Sequence, residues 1–349
     1  MANIAGFGSR CLPTDQTVAM IDPTRLHNHA ALHIKTLIAA CVLVAGFGVA
    51  DALGQTAEQQ KAMIQQLQSM TQADGYLQAH RDVEQPLELL GGPIQFAVRQ
   101  ESGGVFVALP DNRDLDAAVM GSPEQPLAFT GTPGITGVPP AFRAAEDGQY
   151  TQLKRKTPFG DAYTVMGNGM LSLEATDATA TDAATTDDQV QMRATWEDEQ
   201  GNTYEVRCCG MVASHGIEFP SFGGVVTNHL MHGFTGIGTP LMPTEFAYAA
   251  FWGMGEVRKN GEVVDKPRVV HGMLTEYVRT EGYQLASDAE VGPTRQHFHL
   301  MVAPFMPVEG EHKFTHQNVK TGFTLPNGME LPFWHVMFEN LNISSQRNE

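Results

Sequence analysis

The spacing of apolar and polar positions changes along the chain, and the change sets the expected elements. Residues 56–70, Thr-Ala-Glu-Gln-Gln-Lys-Ala-Met-Ile-Gln-Gln-Leu-Gln-Ser-Met, are strong helix formers. Met63, Ile64, Leu67 and Met70 share one stripe and Thr56 stands where a cap is needed, so an amphipathic helix is predicted within 55–80. Beyond it the apolar runs shorten. Ile94–Val98 and Val105–Leu109 lie between Gly91-Gly92-Pro93, Gly103-Gly104 and Pro110-Asp111, breaks that interrupt helices and suit strands. Val190–Trp196 and Tyr204–Val212 flank a polar turn, and Gly255–Val264 centres on Asn260-Gly261, the dipeptide preferred in two-residue hairpin turns. Val269–Tyr277, Gln296–Val302 and Phe333–Glu339 complete the series. Strands do not alternate with long helices, so the predicted fold is mainly β. It is an antiparallel β-sandwich or jelly roll over 81–349 with one N-terminal amphipathic helix and no linker dividing it. The acidic, low-complexity stretch 175–188 reads as a solvated loop.

The N-terminal apolar pattern is of another kind. Lys35 precedes an unbroken 15-residue run, Thr36–Ala50, followed by Ala50-Asp51-Ala52. A bilayer span takes about 20 residues, whereas this length and the small residues after it fit a signal peptide cleaved near Ala52. Residues 1–54 are therefore read as an export signal with an over-long start, Met20 being the more usual initiator, and the expected location is periplasmic or secreted. Ile38-Ala-Ala-Cys41 has the look of a lipidation box, but the apolar run continues past Cys41, which argues against an anchor.

Charge narrows the partners. With 39 acidic against 22 basic residues and a net charge of −17, the surface repels phosphate backbones and anionic headgroups, which excludes nucleic acid and peripheral membrane binding as expected functions. Past the signal only Cys208 and Cys209 remain, adjacent in sequence, so no disulfide framework is expected. On a strand such neighbours face opposite ways; a vicinal disulfide or a thiolate on copper are the alternatives. Oligomeric state has no sequence signal.

Histidine supplies the candidate chemistry. Nine of the 13 histidines fall between His215 and His335, and four of these stand two residues before a methionine: His229, His271, His299 and His335. Residues i and i+2 of a strand share a face. His297, His299 and Met301 therefore line up opposite Phe298 and Leu300, and His335, Met337 and Glu339 opposite Trp334, Val336 and Phe338. Imidazole suits copper, zinc and iron, and a soft thioether adds a preference for copper. The candidate ligands are His297, His299 and His335, followed by His271, His229, Met301 and Glu339. Copper is the first expectation; a three-histidine site with Glu339 suits zinc or non-haem iron. The leading reading is an exported metal-binding β protein, with a metal-dependent oxidative step as its extension. A metal-free structural or interaction domain, its His/Met pairs serving as core, is the competing class. A hydrolase using Ser214 or Ser221 with His215 is the third. The cupin pattern, His-Glu-x-x-His and Cys-x-x-Cys-His are all absent, as is a Gly-x-Ser-x-Gly elbow.

Overall fold

The computed structural model describes residues 92–347 apart from 128–137, 139, 179–186, 212–223, 234–237, 240, 288–289 and 309–313. The expected signal, the helix at 56–70, Ser214, His215 and Ser221 lie outside the described residues. The described residues belong to one compact unit. They form β1 (Ile94–Gln100), β2 (Val105–Ala108), the single helical turn α1 (Ala117–Met120), β3 (Arg143–Glu146), β4 (Gln149–Leu153), β5 (Tyr163–Asp177), β6 (Gln189–Glu197) and β7 (Thr203–Met211). Then follow β8 (Val225–Met231), β9 (Glu245–Lys259), β10 (Glu262–Glu276), β11 (Gln296–Val302), β12 (Phe305–Pro307), β13 (Phe314–His316), β14 (Trp334–Phe338) and β15 (Asn342–Arg347).

The main sheet is antiparallel throughout and closes on itself. β1 and β2 lie end to end along one edge of β5, Ile94 opposite Asp177 and Ala108 opposite Tyr163, while β6 occupies the other edge. β7 and β8 share an edge of β9 in the same way, and β14 and β15 continue along β2 and β1. Taking each end-to-end pair as one staff, the order is β1/β2, β5, β6, β7/β8, β9, β10, β11, β14/β15, with β14 returning to β2. This is an up-and-down barrel, and closure removes the unpaired edges that an open sheet leaves. It stands in place of the two-sheet sandwich or jelly roll expected from the sequence. Strand spacing looks alike in both, and the pairings that close the ring join residues far apart in the chain.

Inside the barrel, alternate residues of every staff meet. Val98, Val107, Leu173, Trp196, Tyr204, Val270, Leu300 and Trp334 belong to one buried cluster. Trp196 and Trp334 meet edge to face at 4.9 Å, and Tyr204 lies 5.1 Å from Trp334. Gly272 serves this packing: a Cβ there would fall 2.4 Å from Phe251 and 2.9 Å from Phe298, so only glycine lets both rings occupy the space.

The hairpin at Asn260-Gly261 forms with both residues at positive φ, joining β9 to β10. The stretch read as a solvated loop at 175–188 is corrected at both ends. β5 continues to Asp177 with Ala175 in the core, and Asp188 accepts the Ala178 and Val225 amides at 2.8 and 2.7 Å. Cys208 and Cys209, in β7, are joined as a vicinal disulfide.

Candidate metal centre

The outer wall of β10, β11 and β14 is buried as well as the inner, because other segments cover it. Pro158 and Phe159 come from the β4–β5 connection, His232, Gly238, Thr239 and Met242 from β8–β9, and Pro304 and Phe305 from beyond β11. The Asp111 carboxylate fixes the first of these segments by accepting the Asp161 and Ala162 amides, each at 2.8 Å. Arg279 ties it to the β10–β11 connection by donating to the Gly160 carbonyl at 2.7 Å.

Under this cover the histidines of three strands meet. Antiparallel pairing sets His271 opposite Met301, Met273 opposite His299, His299 opposite Met337 and Met301 opposite His335. Each His-x-Met run thus lies against a neighbour of reversed direction, giving a checkerboard in which imidazoles approach one another diagonally.

Hydrogen bonds fix the tautomers. His335 Nδ1 donates to the Pro158 carbonyl at 3.0 Å, which leaves its Nε2 as acceptor for His299 Nδ1, also at 3.0 Å. His299 Nε2 then carries a lone pair. It faces His297 Nε2 at 2.5 Å and Glu245 Oε2 at 4.0 Å. Glu245 Oε1 receives His232 Nδ1 at 2.5 Å, while Oε2 is buried and has no hydrogen-bond partner among the described residues. The ligand atoms of Glu245, His297 and His299 all lie within 4.8 Å of one another.

Burial holds the imidazoles neutral. It is the largest cause depressing His297, with Arg279 and His335 adding to it, and the largest depressing His299, with His297 and His335 adding; both sit well below the usual histidine range. Burial likewise pushes His335 down to about 4 and His271 down to about 3. Neutral imidazole is the form that binds metal.

The residues expected from sequence divide accordingly. His297, His299 and His335 come together. His271 stands apart, stacked on Trp252 at 3.9 Å with its Nδ1 donating to the Phe251 carbonyl at 2.7 Å. Met301 lines the adjoining cavity. Glu339 is engaged elsewhere, accepting from the Tyr277 hydroxyl at 3.0 Å and paired with Arg295 at 2.9 Å. His229 lies on β8 opposite Ala247, outside the Glu245, His297 and His299 group. Glu245 and His232 are additions that sequence reasoning missed. Glu245 directly precedes the apolar run Phe246–Trp252, which has no polar alternation to mark it.

Beside the group lies a cavity of about 310 Å³, lined by His299, His335, His271 and His232 among mostly apolar side chains. No family model matches the chain, and no curated protein or solved structure matches it significantly.

Proposed function

We propose that this is a transition-metal-binding barrel whose ion is held by Glu245, His297 and His299 and borders the cavity that His299 also lines. The observation that carries the reading is the Glu245 carboxylate. One of its oxygens is buried without a partner among the described residues and faces two imidazoles kept neutral by burial. A buried carboxylate oxygen left without a partner is costly, and a cation between the three groups supplies one.

The donor set fits. An ion about 2.0–2.2 Å from each donor puts neighbouring ligands about 3 Å apart, between the 2.5 and 4.0 Å separations found. His335 and His232 act behind it, each orienting a ligand by a hydrogen bond. Two imidazoles and one carboxylate leave open positions and suit zinc or Fe(II); the same set also accepts Cu(II). The thioether argument for copper weakens, because Met301 belongs to the cavity wall. A bound ion would supply Lewis acidity or an activated water to a small molecule in the cavity. The extracytoplasmic setting rests on residues 36–52 alone.

The test is metal content. Tag-free protein, stripped with chelator and reloaded separately with zinc, Fe(II) and copper, is analysed by elemental mass spectrometry beside Glu245→Ala and His299→Ala. About one tightly held ion per chain in the parent, lost in both variants, is expected. Equal retention by all three, or no retention by the parent, returns these groups to a metal-free polar network.

A further inference from the structure

The cavity beside the metal group has a chemistry of its own. Its walls include Phe159, Trp252, Phe305, Met231, Met273 and Met301, and none of its described lining residues is Lys, Arg, Asp or Glu. Its polar side-chain groups are the Thr239 hydroxyl, the Trp252 indole N–H and the imidazoles of the four histidines. In the metal-free protein a charged ligand would lose its hydration there without gaining a counter-charge from any described lining side chain. An apolar one gains from burial, and at about 310 Å³ the space is at the small end for organic ligands, enough for one or two rings. Methionines on several sides adapt to an irregular outline and contact aromatic rings favourably.

One wall carries a directed polar group. His271 and Trp252 lie face to face, their planes 10° apart, so the imidazole is clamped between strands as a flat platform. Its Nδ1 must be the protonated nitrogen, because the Phe251 carbonyl it meets can only accept. In the neutral ring Nε2 is then an acceptor.

From these features we propose that the cavity takes a neutral, largely apolar aromatic molecule bearing a hydroxyl group, the hydroxyl donating to His271 Nε2. This deepens the metal-centre reading by naming the class of molecule brought to the ion, but the cavity's selectivity rests on His271 and the apolar wall rather than on Glu245.

Calorimetric titration of the full chain with para-propylphenol, propylbenzene and para-propylbenzoate tests it, in the parent, His271→Phe and Glu245→Ala. The phenol is expected to bind the parent about tenfold more tightly than propylbenzene, the discrimination that one hydrogen bond carries. The benzoate is expected not to bind parent stripped of metal, where no cation can take up its charge. His271→Phe keeps a ring on Trp252 and removes the acceptor. It should bind propylbenzene as the parent does, which also reports that it is folded, and lose the preference for the phenol. Met301→Trp, which fills the cavity, should weaken both neutral probes. Phenol binding that survives in Glu245→Ala separates the two readings, since the cavity then stands whether or not the parent holds metal. Loss of phenol binding in that variant would place the hydroxyl on the ion and overturn the role given to His271. A phenol preference kept in His271→Phe, benzoate binding to the stripped parent as tight as phenol binding, or no binding of either neutral probe would overturn the proposal.

Discussion

Glu245 and the imidazoles it faces form a site whose hydrogen bonding is incomplete among the described residues. Two neutral rings and an acid with one unpartnered oxygen are a poor interior unless something positive joins them. Metal should therefore stabilise the fold and not merely occupy it. At a free metal concentration a hundred times Kd, binding to the native state alone is worth about 2.7 kcal/mol. Thermal melts with and without zinc should show a corresponding rise in the parent and little in Glu245→Gln, whose amide keeps the shape but offers a weaker ligand. Equal rises would move the ion elsewhere. At this scale the sequence was partly legible. His297, His299 and His335 stood out because alternate residues of a strand share a face. Glu245 did not, because Phe246–Trp252 is buried on both sides and shows no alternation against which an acid would register. His232 reaches Glu245 only through the fold of the β8–β9 connection.

At the level of elements, the recurring His-x-Met runs acquire their meaning from antiparallel registry. A run paired with a reversed copy of itself places His opposite Met, so imidazoles gather diagonally with thioethers between them. The runs were visible in the sequence, and the registry was not. The same pairing governs the inner face, where Gly272 on β10 makes room for Phe251 and Phe298. Gly272→Ala should overpack this layer and cost about 1–3 kcal/mol, measured as a lowered urea midpoint with an unchanged slope. An unaltered midpoint would mean that the interior is looser than its ring contacts imply. The strands β1, β2, β6, β7, β10, β11 and β14 were legible from apolar runs between breaks. Most of β5 was not, since Gly167-Asn168-Gly169 interrupts its apolar pattern and the Ala/Thr-rich stretch at its end read as solvated loop.

For the molecule as a whole, closure of the sheet explains why the buried histidine cluster sits on its outside. Bulky side chains fill the barrel interior, as eight staffs leave little free space, so the buried histidines lie between the outer wall and its covering segments. Such burial has a pH signature. His271 falls from an ordinary 6.5 to about 3 on folding. Between those values the unfolded chain binds a proton that the folded one does not. Stability is thus fully present above about pH 6.5 and declines as pH falls towards about 3, by up to about 1.4 kcal/mol per unit for this one group. Denaturation of metal-free protein across that range should show the decline, with a shallower slope in His271→Phe. A slope identical in the two would show that His271 does not remain neutral in the folded chain. Which long-range pairing closes a sheet is decided by contacts between distant residues, and for that reason local patterning read as a sandwich what the structure forms as a barrel.

The central claim is that one ion lies between Glu245, His297 and His299. Anomalous X-ray diffraction from crystals of the zinc-loaded protein addresses it directly. A single strong peak about 2.0–2.2 Å from Glu245 Oε2 and both Nε2 atoms is the expected result, with the two imidazole nitrogens moved apart from 2.5 Å. A peak at Met301, His271 or Glu339, or no peak with the short contact between His297 and His299 preserved, would contradict it.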